Sequence, residues 1–67
     1  MIVLTINGQP RSFPGPLRVG ALIGELGFAG KRIALERNGE IVPRSQFEAT
    51  ELADGDALEI VVAVGGG

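Results

Sequence analysis

The sequence contains no cysteine, no histidine, no tyrosine and no tryptophan. Without cysteine there can be no disulfide and no thiolate metal site, and without histidine the commonest metal ligand and general base is missing. No run approaches the roughly 20 apolar residues of a spanning helix, and no basic region leads into an apolar stretch at the N-terminus. A basic excess is lacking too: six Lys and Arg stand against eight Asp and Glu, a net charge of −2, where nucleic-acid binding would leave a basic patch. These absences predict a soluble, cytoplasmic chain that binds neither nucleic acid nor membrane; it is expected to be monomeric when free. They leave two kinds of chemistry open, a hard-ion site made of carboxylates or a function carried on the surface and the chain ends.

What is present is enough for one small domain. A chain of 67 residues buries only about 60% of the surface its unfolded form exposes, so one small core is expected and no deep enclosed cavity. The hydrophobic content of 45% argues against disorder. Charge is unevenly spread. Residues 1–35 carry four cations (Arg11, Arg18, Lys31, Arg32) against Glu25, a balance of +3, whereas residues 36–67 carry two cations against seven acids, a balance of −5. The acidic half suits either solvent or a positively charged partner.

Periodicity sets out the elements. Ile2, Leu4 and Ile6 alternate with Val3 and Thr5, which predicts a strand with the larger residues inward. Asn7-Gly8 is a hairpin signal, since both residues tolerate positive φ. A return strand through Arg11-Ser12-Phe13 is confined by Pro10 and by Pro14-Gly15-Pro16 to a short edge position. Val19, Leu22, Ile23 and Leu26 form one apolar stripe and predict a helix over about 18–26, with Gly27 as its C-terminal cap and Phe28 folding back on its end. Gly20 and Gly24 weaken that helix by roughly 1 kcal/mol each, and no Ser, Thr, Asp or Asn stands at its start to cap it. The Gly20-x-x-x-Gly24 spacing lies in an amphipathic helix rather than an apolar one, so a membrane-dimer role fails and the spacing reads as a weak helix.

Further along, Ile33 and Leu35 point inward on a strand over 32–38, with Ala34 and Glu36 outward. Asn38-Gly39 turns into a short strand at Ile41-Val42 that Pro43 stops, and an irregular or short helical crossing over 44–49 is pinned by Phe47. Asp54-Gly55-Asp56 is a third tight turn. The last strand runs over 57–64, with Leu58 and Ile60 inward and Glu59, Val61 and Ala63 outward. This order, strand-strand-helix-strand-strand-strand, predicts an α+β fold: a curled mixed sheet with one helix across it and the first and last strands side by side at its centre. Residues 1–64 form the domain and 65–67 a flexible Gly-Gly-Gly tail.

Catalytic sets are not found. Asp54 and Asp56 flank a glycine and read as turn formers rather than as an acid–base pair or a metal site. Neither Ser12 nor Ser45 has a base beside it, and no glycine-rich loop opens a helix as a phosphate cradle would. The tail is the remaining feature. Gly65, Gly66 and Gly67 carry no Cβ, so they can thread a slot too narrow for any side chain. The Gly67 carboxylate, ionised at neutral pH, can attack the α-phosphate of ATP, and the resulting acyl adenylate is activated toward sulfur or amine nucleophiles. On the tail alone, a carrier and an inert chain end both remain open.

The order of elements and the Gly-Gly end resemble the ubiquitin-like β-grasp proteins. More narrowly, Leu4-x-Ile6-Asn7-Gly8, the helix stripe, the block Glu36-Arg37-Asn38-Gly39-Glu40-Ile41-Val42-Pro43-Arg44 with Phe47, and Asp54-Gly55-Asp56, Leu58-Glu59-Ile60 and Gly66-Gly67 resemble the small sulfur carriers of thiamin thiazole synthesis, the ThiS family. The resemblance implies a carrier rather than an enzyme, with no cofactor bound by the chain itself. A MgATP-dependent, E1-like adenylyltransferase would adenylate Gly67. A cysteine desulfurase would supply the sulfur of a thiocarboxylate, and thiazole synthase would receive it. Sulfur transfer to another client (molybdopterin or tRNA thiolation), a ubiquitin-like protein modifier and a β-grasp interaction module with an inert tail are the other expectations. The third glycine departs from the family pattern without breaking it. For the partner-binding face the pattern points to Val3, Ala34, Val61 and Ala63, with Thr5, small or apolar residues on the side of the sheet away from the helix, continued by Val64, Gly65 and Gly66.

Overall fold

The structure, a computed structural model, describes residues 1–63; Val64 and the three glycines of the expected tail lie outside the described residues. Strand β1 spans Ile2–Ile6 and β2 Gln9–Phe13; β3, Leu17–Arg18, runs into helix α1, Val19–Glu25. Strands β4, Ile33–Arg37, and β5, Glu40–Ile41, follow, then a 3-10 turn at Arg44–Gln46, β6 at Glu51–Leu52 and β7 at Ala57–Val62. Five strands form a sheet in the order β2-β1-β7-β4-β5, so the first and last long strands do lie together at its centre. They run parallel, with Thr5 opposite Ala57 and Ile6 opposite Leu58. All other pairings in the sheet are antiparallel.

Both asparagine-glycine turns form as two-residue hairpins. Asn7 and Gly8 have φ of 51° and 85°, Asn38 and Gly39 52° and 87°, the left-handed pair that matches the twist of the flanking strands. Register in the first hairpin sets Ile6 opposite Gln9 and Thr5 opposite Pro10. Bonded pairs alternate from the turn outward, so the missing N–H of Pro10 falls on the free edge of the sheet and costs the ladder nothing.

Alternation places Leu4, Ile6, Leu35, Leu58 and Ile60 on one face, where they meet Val19, Leu22 and Ile23 of α1, with Phe13, Phe47 and Leu52 closing the core. Leu4, Leu22, Leu35, Leu58 and Val19 are fully buried. The helix end follows expectation closely. Gly27, at φ 80°, donates to the Gly24 carbonyl at 3.1 Å and Phe28 donates to the Ile23 carbonyl at 3.0 Å, a Schellman closure.

Two features depart from expectation. Two short strands, β3 and β6, pair with each other outside the main sheet, Leu17 opposite Leu52 and Arg18 opposite Glu51; two-residue segments carry no period by which a pattern could reveal them. The helix start is satisfied by backbone. Val19 N–H donates to the Thr50 carbonyl and Gly20 N–H to the Phe47 carbonyl, each at 3.0 Å, so the residues after the 3-10 turn serve as the cap that no side chain provides. At Gly20 a Cβ would lie 2.7 Å from a carboxylate oxygen of Glu48, a contact that this exposed, flexible side chain relieves by turning away, and Gly24 has open space around it, so both glycines remain weak points of the helix. Among the described residues, no helix is long and apolar enough to cross a membrane.

Because the core is one small cluster, truncating it is expensive. Leu58→Ala should lower unfolding free energy by about 2–5 kcal/mol, while its exposed neighbour Val61→Ala should stay within about 0.5 kcal/mol, both read from urea denaturation curves.

Candidate functional site

The carboxylates of the third turn are the first candidates to place. Asp56 is buried, at 7% exposure, and fully engaged. Its Oδ2 accepts from Arg37 Nε at 2.8 Å and from the Ala53 N–H at 2.9 Å, and its Oδ1 accepts from Asn38 Nδ2 at 3.0 Å. Burial by itself would raise its pKa. The Ala53 and Asn38 hydrogen bonds, together with the hydrogen bond and charge of Arg37, outweigh burial and hold the carboxyl below its ordinary value of 3.8. Asp54 Oδ1 accepts from the Val3 N–H at 2.7 Å, and Gly55 N–H donates to the Val3 carbonyl at 2.8 Å. The turn therefore stitches the start of β7 to β1 and to the β4–β5 hairpin. Among the described residues no group of three acidic side chains is arranged to hold a metal ion.

The candidate docking residues lie on the other face of the sheet. Ala34 and Val61 are cross-strand partners on β4 and β7, and Val61 is 64% exposed. Ala63 continues the line beyond β7, with its N–H bonded to the Arg32 carbonyl at 2.9 Å. Val3 is exposed on the same face but stands elsewhere along it. It sits beside Gly55, six residues before Val61, about 20 Å away at 3.3 Å per residue. Thr5 lies between, opposite Ala57. The face thus gathers Ala34, Val61 and Ala63 where β7 leaves the sheet and puts Val3 at its opposite end. Pattern alone cannot see this, because alternation fixes the side of a sheet and not the position along it. Ile41, 64% exposed and opposite Glu36, adds an apolar residue to this face that alternation over so short a strand did not single out. Val64, Gly65, Gly66 and Gly67 lie outside the described residues.

The strand that carries Val61 is fixed by side-chain amides as well as by backbone. Asn7 Oδ1 accepts from the Ile60 N–H at 2.7 Å and Asn7 Nδ2 donates to the Ile60 carbonyl at 3.1 Å. On the other side Asn38 Oδ1 accepts from the Ala57 N–H at 2.9 Å. Each turn asparagine supports positive φ and also bonds to the central strand.

Sequence and structure comparisons agree on relatives. The family model described as ThiS family matches residues 4–67. A thiazole synthase of Paramagnetospirillum magneticum is 50% identical over 64 residues, which cover 96% of this chain and 20% of that protein, so the chain spans about a fifth of that relative's length. The sulfur carrier protein ThiS of Bacillus subtilis is 39% identical over 46 residues, 69% of this chain and 70% of that protein. The crystal structure of a thiamine biosynthesis protein (ThiS) from Geobacter metallireducens matches with a TM-score of 0.83 at 39% identity, covering 98% of this chain and all of that one. The fold is the ubiquitin-like β-grasp, α+β, as the element order predicts.

The Asp56 bonds give a pH dependence with a definite sign. A carboxyl whose folded pKa is lowered stabilises the fold above its unfolded value near 3.8 and loses that contribution as pH falls through the lowered folded value. Asp56→Asn should cost about 1–3 kcal/mol at neutral pH and should flatten the drop in Tm between about pH 5 and pH 2, read by thermal melts across that range.

Proposed function

The chain belongs to the ThiS family, and from that premise we propose that it is a sulfur carrier of thiamin biosynthesis whose reactive group is the C-terminal carboxylate of Gly67. The observation that carries this reading is the family match over residues 4–67, which takes in both the folded sheet and the Gly-Gly tail. The named sulfur carrier of Bacillus subtilis supports it. The chain supplies no nucleophile–base pair of its own, with no Cys or His in the sequence, so the chemistry falls to partners.

In the proposed cycle an E1-like adenylyltransferase binds MgATP. The Gly67 carboxylate attacks the α-phosphorus and pyrophosphate leaves. A persulfide charged by a cysteine desulfurase then displaces AMP at the acyl carbon to give an acyl disulfide, and a thiol reductant attacks its outer sulfur, breaking the S–S bond and releasing the thiocarboxylate. Thiazole synthase is the proposed recipient. A stretch 50% identical to this chain within a protein named thiazole synthase supports that choice. The cytoplasm, which holds ATP and reduced sulfur, is the proposed compartment. The fold's part is to hold the root of the tail. β7 is bonded on both sides, and Ala63 is still tied to Arg32, so the proposed tail starts from a fixed point.

Intact-protein mass spectrometry tests the chemistry. Incubation with MgATP, a candidate adenylyltransferase and a sulfur source should exchange one oxygen for sulfur on Gly67, and deletion of Gly66 and Gly67 should abolish the exchange. An unchanged mass with every adenylyltransferase of the host would remove the carrier reading.

The face around Val61 generates a second expectation. Val61→Glu places a charge where an apolar partner surface would dock, and should block thiocarboxylate formation or sulfur delivery while unfolding free energy moves by no more than about 0.5 kcal/mol. Sulfur transfer at the wild-type rate in a folded V61E protein would exclude this face from docking.

A further inference from the structure

The helix covers only part of the inner face of the sheet. Antiparallel register sets Gln9 opposite Ile6 and Arg11 opposite Leu4, so both polar residues occupy core-facing positions of β2, yet both are exposed. The reason is length. Helix α1 has seven residues and turns away at Gly27, leaving the corner of the sheet beside the first hairpin uncovered. An open cleft of about 320 Å³ remains there, floored by Ile6 and Ile60, walled by Leu26 and Phe28 and rimmed by Gln9 and Arg11.

Two arginines stand at core-facing positions near corners of this sheet, and they differ in one respect. Arg37 on β4 meets the Asp56 carboxylate at 2.8 Å. Arg11 has no carboxylate partner among the described residues; its guanidinium carbon lies 5.8 Å from the centre of the Phe13 ring, within reach of a cation–π contact. A cation steadied over a ring, next to an apolar floor and with no anion answering it, complements a ligand that joins an apolar group to a carboxylate. The free edge of β2 does not compete for that role. The edge-facing pair in this register is Pro10 and Ser12, and Pro10 has no N–H, so a bound chain gains little from backbone pairing and must be held by its side chains.

We propose that this cleft docks a protein partner through one apolar side chain seated on Ile6 and Ile60 beside an Asp or Glu paired with Arg11. It is a second recognition surface, on the opposite side of the sheet from Val61. The cleft adjoins Ile60, two residues before the end of β7, so a partner seated in it stands close to where that strand leaves the sheet. The inference rests on the carrier reading only in taking the partner to be one of the proteins that handle the tail.

The probe is the capped tripeptide acetyl-leucyl-glutamyl-phenylalanine amide, titrated into the full-length ¹⁵N-labelled chain and followed by amide chemical shifts. The expected result is saturable binding at about millimolar affinity, with shifts centred on Asn7, Gln9, Arg11, Leu26 and Phe28. Arg11→Glu should weaken it by about tenfold or more, as should replacing the peptide's glutamate by glutamine. Arg11 is exposed, so the variant should keep the wild-type spectrum elsewhere; the glutamine peptide makes the same test on the unaltered protein. Val61→Glu should bind the peptide as wild type does. Absence of saturable shifts, or shifts indifferent to both charge changes, would overturn the proposal. Groove shifts that depend on protein concentration without peptide would assign the cleft to a second copy of the chain and also overturn it. The Gly67 mass assay, run in parallel, separates the two readings: oxygen-for-sulfur exchange without peptide binding removes the cleft alone, whereas charge-dependent peptide binding without exchange supports the cleft and removes the carrier.

Discussion

The parallel contact between β1 and β7 is the joint on which the sheet depends. In backbone terms it is only two residues long, Thr5 and Ile6 against Ala57 and Leu58. The strands would part early were it not for Asn7, whose side-chain amide gives and takes a hydrogen bond at Ile60 just as a further strand residue would. At the other end of the joint, Asp54 and Gly55 bond both backbone groups of Val3. Asn38 and Arg37 then hold Asp56 from the β4 side. A short ladder becomes a rigid one because side chains extend it at both ends. Rigidity at this place matters, since β7 is the strand that leads to Ala63 and the proposed reactive tail.

Division of labour between the two faces follows from the same geometry. The inner face is committed to the core except at one corner, where a seven-residue helix runs out before the sheet does. Among the described residues no element covers the outer face, where Ala34, Val61 and Ala63 gather at the end of β7 and Val3 stands at the opposite end. The proposed carrier would have to be recognised by more than one protein, and a small sheet with one exposed face and one partly open face would offer each a separate foothold near the end of β7.

Much of this was legible in the residues. The Asn-Gly pairs mark both hairpins because their backbone preference is local, and the stripe Val19, Leu22, Ile23, Leu26 marks the helix because its period is clear. Alternation through Leu4, Leu35 and Leu58 identifies the core. What escaped depends on contacts between distant segments. The carbonyls of Phe47 and Thr50 that cap the helix have no sequence signature, since any residue supplies a carbonyl. Asp56 reads as part of a turn, but its three hydrogen bonds come from Ala53, Arg37 and Asn38, and no spacing in the sequence brings these three to one carboxylate. The place of Val3, far from Val61 on a shared face, needs the parallel register, which no local pattern states.

Placing the last strand at the centre of the sheet has a consequence for how the chain is made. The residues joined by Asn7 and Ile60 are 53 positions apart. Contacts of such high sequence separation form late, because the loop between them must close before they return any free energy. The two hairpins can form early from neighbouring residues, but until β7 is synthesised each has an unpaired edge and neither has a core. Closing the sheet and anchoring Ala63 against Arg32 are therefore a single event. A chain cut short before Ala57 has neither a sheet centre nor a root for the proposed tail, so a partner that grips the finished fold can engage only molecules whose synthesis reached the last strand.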